Sequence, residues 1–129
     1  MNYFKKRKLL KDANYLDLVP VRSCNFESDQ AGKVTLLIPK FKSDFLRRLL
    51  VPQRKSPDFR IKLDELGSAV WLAADGIRNV AEISALLIET MGEKVAPAEE
   101  RIPKFLSILF RQGFINFKQL IEALENKRG

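Results

Sequence analysis

The order of apolar runs and turn signals predicts an α+β fold. It is winged helix-turn-helix-like: a three-stranded antiparallel sheet packed on three helices, with an extra C-terminal helix. Three observations carry this. Two β-rich stretches, "LVPVRSCNF" (18–26) and "KVTLLIPKF" (33–41), flank the turn-forming "ESDQAG". "FRIKL" (59–63) alternates apolar and basic residues, the period of a half-buried strand. From Asp64 onward the apolar period becomes helical, punctuated by Asp75-Gly76, Gly92 and Gly113.

Residues 1–14 read as a basic tail, with Lys5, Lys6, Arg7, Lys8 and Lys11 against Asp12. The two β-rich stretches form a hairpin, with Pro20 and Pro39 near strand ends, where a missing N–H does least harm. Around "KSDFLRRLLVP", Phe41, Phe45, Leu46, Leu49 and Leu50 fall at helical spacing, Ser43 can cap the start, and Pro52 stops the run. This predicts a short basic amphipathic helix that covers the sheet or meets a partner. Residues 52–58 are a polar linker. In "FRIKL", Phe59, Ile61 and Leu63 take one face and Arg60 and Lys62 the other, which suits a sheet edge.

Asp64 is the expected N-cap of the first helix, with Leu66, Val70 and Ala73 or Ala74 inward and Trp71 nearby. Gly76 supplies the left-handed backbone that ends it. Asn79 and Glu82 have the spacing of a capping box for the second helix, which Gly92 closes. The third helix starts between Pro97 and Pro103, because proline inside a helix costs about 3 kcal/mol. Ile102, Phe105, Leu106 and Leu109 form its inward stripe, and Gly113 ends it. "FINF" (114–117) is a short extended piece, and "KQLIEALENK" a terminal helix with Leu120, Ile121 and Leu124 on one face.

The chain has 129 residues and a net charge of +7. The basic surplus lies wholly in residues 1–58; residues 59–129 carry ten bases and ten acids. With no histidine and one cysteine, His-based catalysis has no base and a zinc site no ligand set. No phosphate-cradling glycine motif occurs. Glu99 and Glu100 are neighbours that diverge on a helix and suit its N-terminal turn. Cys24 reads as a packed thiol. A non-enzyme without metal or cofactor is expected. No signal peptide or membrane-length apolar run is read, and the cytosol is the expected compartment.

Trp71 to Gly76, "NVAEI" (79–83) and "RQGFI" (111–115), within "LDELGSAVWLAADGIRNVAEISALL" and "KFLSILFRQGFI", resemble the PqqD family, small proteins of pyrroloquinoline quinone biosynthesis. The resemblance spans about residues 59–117, within a domain read as 15–117. The tail, an insertion at about 42–58 and the terminal helix (118–129) lie beyond the family pattern. The resemblance implies a non-catalytic module that binds the leader segment of a ribosomally made precursor peptide. Such a module presents the leader to a modifying enzyme, often a radical S-adenosylmethionine enzyme. The leader adds a strand to the third strand and rests beside the third helix. Carried onto this chain, the peptide-binding candidates are Phe59, Arg60, Ile61, Lys62, Leu63, Arg101, Lys104, Phe105, Ile108 and Gln112. On this reading Ile61→Pro removes an edge N–H, and Arg60 and Lys62 favour an acidic peptide.

Two other classes fit the same sequence. One is a winged-helix DNA-binding protein, which the net charge invites and the neutral helical half opposes. The other is an adaptor that docks its basic N-terminal half on an acidic partner or an anionic membrane.

Overall fold

The computed structural model describes residues 14–39 and 58–128. The basic tail, the amphipathic helix and most of the polar linker expected before residue 58 lie outside the described residues. In chain order come a 3₁₀ turn (Tyr15–Asp17), β1 (Pro20–Arg22), β2 (Asn25–Ser28), β3 (Val34–Pro39) and β4 (Asp58–Lys62). There follow α1 (Glu65–Ala73), α2 (Val80–Met91), a 3₁₀ turn (Gly92–Val95), α3 (Ala98–Arg111), β5 (Ile115–Phe117) and α4 (Lys118–Arg128). The architecture is α+β, with the antiparallel sheet β2-β3-β4 as expected.

The stretch 18–26 is not one strand. It breaks at Ser23 and Cys24, and its halves serve different sheets: β1 pairs with β5, and β2 pairs with β3. β-propensity reports a liking for pleated surroundings and is blind to the partner. Pairing of β1 is decided by β5, more than ninety residues later. The Ser23 N–H donates to Phe114 O and the Lys118 N–H to Val19 O, so residues 19 and 23 face β5 and Pro20 turns its proton-less nitrogen away. Pro39 is placed by the same logic. Leu37 and Thr35 face β2, so Pro39 faces beyond the first residue of that strand.

Side-chain alternation gives the sheet one core face. Phe26, Val34, Leu36, Ile38, Phe59 and Ile61 share it, and Val34 and Leu36 are wholly buried beneath the helices. Trp71 of α1 is buried there too, its ring edge-on to Phe26 at 5.7 Å. Arg22 lies over the Phe26 ring, 5.1 Å from its centroid, and its Nε donates to Ala74 O at the end of α1. That is a favourable place for a cation.

The three central helices close around Val70, Val80, Ile83, Leu87, Ile102 and Leu106. Their boundaries follow the expected signals except at the end of α1, which closes at Ala74, two residues before Gly76. The left-handed Gly76 (φ 82°) shapes the turn into α2 and does not cap the helix. Asp64 accepts from the Gly67 N–H at 2.7 Å. Asn79 and Glu82 form the full capping box. At the end of α3, Gly113 (φ 81°) donates to Phe110 O and Phe114 to Leu109 O, a Schellman closure. α3 begins at Ala98 and runs through Pro103. The proline deprives only the exposed Glu99 carbonyl of its helical donor, and its own carbonyl accepts from the Tyr15 hydroxyl. At the other end of the chain, Leu120 of α4 is fully buried, and Gln119 bonds Val19 N and Asp17 O.

One buried hydroxyl joins sheet to helix. Ser68 Oγ accepts from Val34 N at 2.9 Å and donates to Leu63 O at 3.4 Å. It stands where the ladder would place the second bond of the pair, from the Val34 N–H to Leu63 O, and it lets the chain leave β4 for α1. Ser68→Ala is expected to cost about 1 kcal/mol in urea unfolding. That is the low end for an orphaned buried group, because the direct ladder bond can re-form.

The α1–α2 turn carries a pH signature. Asp75 Oδ1 accepts from Arg78 N and Ile77 N, both at 2.9 Å. The bond from the Arg78 N–H and then that from Ile77, with help from the Arg78 charge, hold its carboxyl below the usual range. A lowered folded pKa gives stability present above the unfolded pKa and lost as pH falls through the folded one. The stability gap between wild type and Asp75→Ala is therefore expected at neutral pH. It should close at pH values below the ordinary carboxylate range, measured by denaturation at both.

Candidate functional site

β4 stands at one end of its sheet, and among the described residues no strand pairs with its outer edge. Which main-chain groups face that edge follows from one bond. The Leu63 N–H donates to Val34 O at 2.9 Å, so Leu63 faces β3. Antiparallel pairing alternates, so Ile61 and Phe59 face β3 as well, while Arg60 and Lys62 turn N–H and C=O outward. This corrects the expectation for Ile61: its N–H belongs to the ladder with Leu36, and the edge groups are those of Arg60 and Lys62.

The side chains alternate as expected, but the burial is weaker. Leu63 is half-buried, whereas Phe59 is 56% and Ile61 37% exposed. Among the described residues, the helices cover β3 at Val34 and Leu36 and leave Phe59 and Ile61 on the core face of β4 as a partly exposed apolar ledge. On the opposite face Arg60 pairs with Glu27 of β2, reaching diagonally across β3. Lys62 makes no ion pair among the described residues.

The α3 candidates divide. Phe105 is half-buried, and its ring lies against Gly67 in the first turn of α1; a Cβ at Gly67 would stand 3.0 Å from it. That first turn follows Leu63 directly, so it links the end of β4 to Phe105. Lys104, Ile108 and Gln112 are exposed at four-residue spacing and share one helix face. Arg101 is engaged elsewhere. Its Nη1 donates to Lys94 O at 2.8 Å and fastens the Gly92–Val95 turn. None of the ten candidates lines either of two shallow cavities. One, about 280 Å³, is lined by Gly32, Glu65, Ser68 and Leu72; the other, about 380 Å³, by Ile88, Val95, Pro97 and Glu99.

Three contributors carry little or no signal in the sequence. Glu27 sits in the hairpin, and its link to Arg60 needs the register of two strand pairs. Ser68 has the composition of any helix serine. Gly67 carries the one weak signal, a glycine inside a helix that marks close packing.

Residues 55–115 match the family model of PqqD, described as coenzyme PQQ synthesis protein D. This stretch is PqqD-like. The PqqD-like segment starts before β4 and ends at the first residue of β5, so it holds all ten candidates and leaves β1–β3 and α4 outside. Its quoted motifs have physical causes here: the Asp75-Gly76 turn with Gly76 at φ 82°, the Asn79 capping box and the Gly113 closure. No curated protein and no solved structure matches the chain significantly. Among the described residues no helix is long and apolar enough to cross a membrane.

Proposed function

We propose that this chain is a peptide-binding module that takes up the leader of a precursor peptide as an added strand on β4 and presents it to a modifying enzyme. The family description supports a place in cofactor biosynthesis. The observation that carries the reading is the outward main chain of Arg60 and Lys62 at an edge without a partner strand among the described residues. Such an edge offers main-chain hydrogen bonds for affinity and side-chain neighbours for selectivity. Phe59, Ile61 and Leu63 supply an apolar flank, and Lys104, Phe105, Ile108 and Gln112 a helical wall. Arg101 acts by holding the turn before α3. The chain does no chemistry itself in this reading; a radical S-adenosylmethionine enzyme or another peptide-modifying enzyme is the partner that does.

The test is a titration of the isotope-labelled chain with precursor leader peptides encoded beside it, followed by amide NMR shifts. The expected result is a set of shifts centred on residues 58–63 and 101–112. Steeply salt-dependent binding of duplex DNA, with no response to peptide, would replace this reading with a nucleic-acid one. Response confined to residues 1–57 would replace it with an electrostatic adaptor.

A further inference from the structure

We infer that the strand accepted by β4 is selected by a single carboxylate set opposite Lys62, next to an apolar residue opposite Ile61, and that Arg60 does not read charge. The inference rests on the strand-addition reading and deepens it. Because Arg60 and Lys62 send their main-chain groups outward, an added antiparallel strand meets them as directly hydrogen-bonded neighbours. Its side chains opposite Arg60 and Lys62 then lie on the face that carries Glu27 and Thr35. Its side chain opposite Ile61 lies on the apolar face.

The two cations on that face are not equivalent. Arg60 is already paired with Glu27. A carboxylate opposite Arg60 has to displace Glu27 or sit beside its like charge, so it gains little. Lys62 makes no ion pair among the described residues, since Glu27, which shares its row across Thr35, is paired with Arg60, and a carboxylate opposite Lys62 forms a cross-strand pair at the spacing where opposite charges attract. Glu27 therefore acts as a mask. It turns a strand with two cations into one that asks for a single acid in a fixed register.

The experiment uses the full chain and a set of blocked ten-residue peptides that alternate apolar and polar positions. One polar position carries Asp, Asn or Lys, placed in turn along the peptide. Wild type is expected to bind the best-placed Asp peptide roughly two- to fivefold more tightly than its Asn twin, the range of an exposed pair, and the gap should shrink with salt. Lys62→Glu should invert the order in favour of Lys. Glu27→Gln should add a second acid preference, two positions away, that wild type lacks. Equal affinity for the Asp and Asn peptides, or the same ranking in wild type and Lys62→Glu, overturns the inference while leaving strand addition intact. A folded wild type that binds none of the set, nor any leader peptide, overturns both. A second acid preference already present in wild type overturns the masking role of Glu27.

Discussion

Trp71→Ala is expected to destabilise the chain by about 3–5 kcal/mol, the range for a large buried aromatic side chain cut back to a methyl group. Domains of this size are stable by only about 5–15 kcal/mol, so the variant stands near the threshold of folding. The cost has a plain origin. Trp71 is wholly buried between the sheet and the helices, and its ring meets edge-on that of Phe26, the residue whose ring Arg22 lies over. Removing the indole opens a cavity where α1 packs on β2, beside the point at which the chain switches from one sheet to the other. Trp71→Phe is expected to cost much less. The indole N–H has no acceptor among the described residues, so the phenyl ring forfeits volume but also removes a buried donor that lacks a partner there. Urea unfolding followed by circular dichroism checks both, since Trp71 is the only tryptophan and its fluorescence disappears with it. Equal losses for Ala and Phe would show that a phenyl ring recovers none of the packing and that the site requires the full indole.

The helical part of this fold is legible in the sequence because its signals are local. An N-cap, a capping box and a glycine in the left-handed region each act within one turn, and Asp64, Asn79, Gly76 and Gly113 can be placed from neighbours alone. The strands are legible as strands but not as partners. "LVPVRSCNF" has the composition of one strand and becomes two, because β5, which lies beyond the whole helical segment in the chain, pairs with its first half. The candidate site shows the same division. The alternation in "FRIKL" tells which side chains share a face. It does not tell which N–H groups point outward, because that phase is set by the bond from Leu63 to Val34 in another strand. Burial escapes the pattern for a related reason. Phe59 and Ile61 face the core side of the sheet, yet how far the helices extend over that side is a property of the packing and not of the strand.

That phase makes the edge directly testable. Lys62→Pro is expected to weaken leader-peptide binding roughly five- to 150-fold, the cost of about 1–3 kcal/mol for a buried acceptor left without its donor. Arg60→Pro should behave alike. Both substitutions remove an N–H that points away from β3, and proline is tolerated on an edge strand when its nitrogen faces outward. Both variants should therefore keep the fold, checked by an unchanged circular dichroism spectrum. Ile61→Pro is the contrasting case. Its N–H is directed at β3, so the substitution should break the β3–β4 ladder and lower stability whether or not a peptide is present. Lys62→Gln separates charge from main chain, since it keeps the N–H and should lose only the small electrostatic part. Binding measured by calorimetry across these four variants reads the phase of the strand: 60 and 62 sensitive through affinity, 61 through stability. Unchanged affinity in folded Arg60→Pro and Lys62→Pro would move the peptide off this edge, because an added strand cannot pair with β4 without using those two donors.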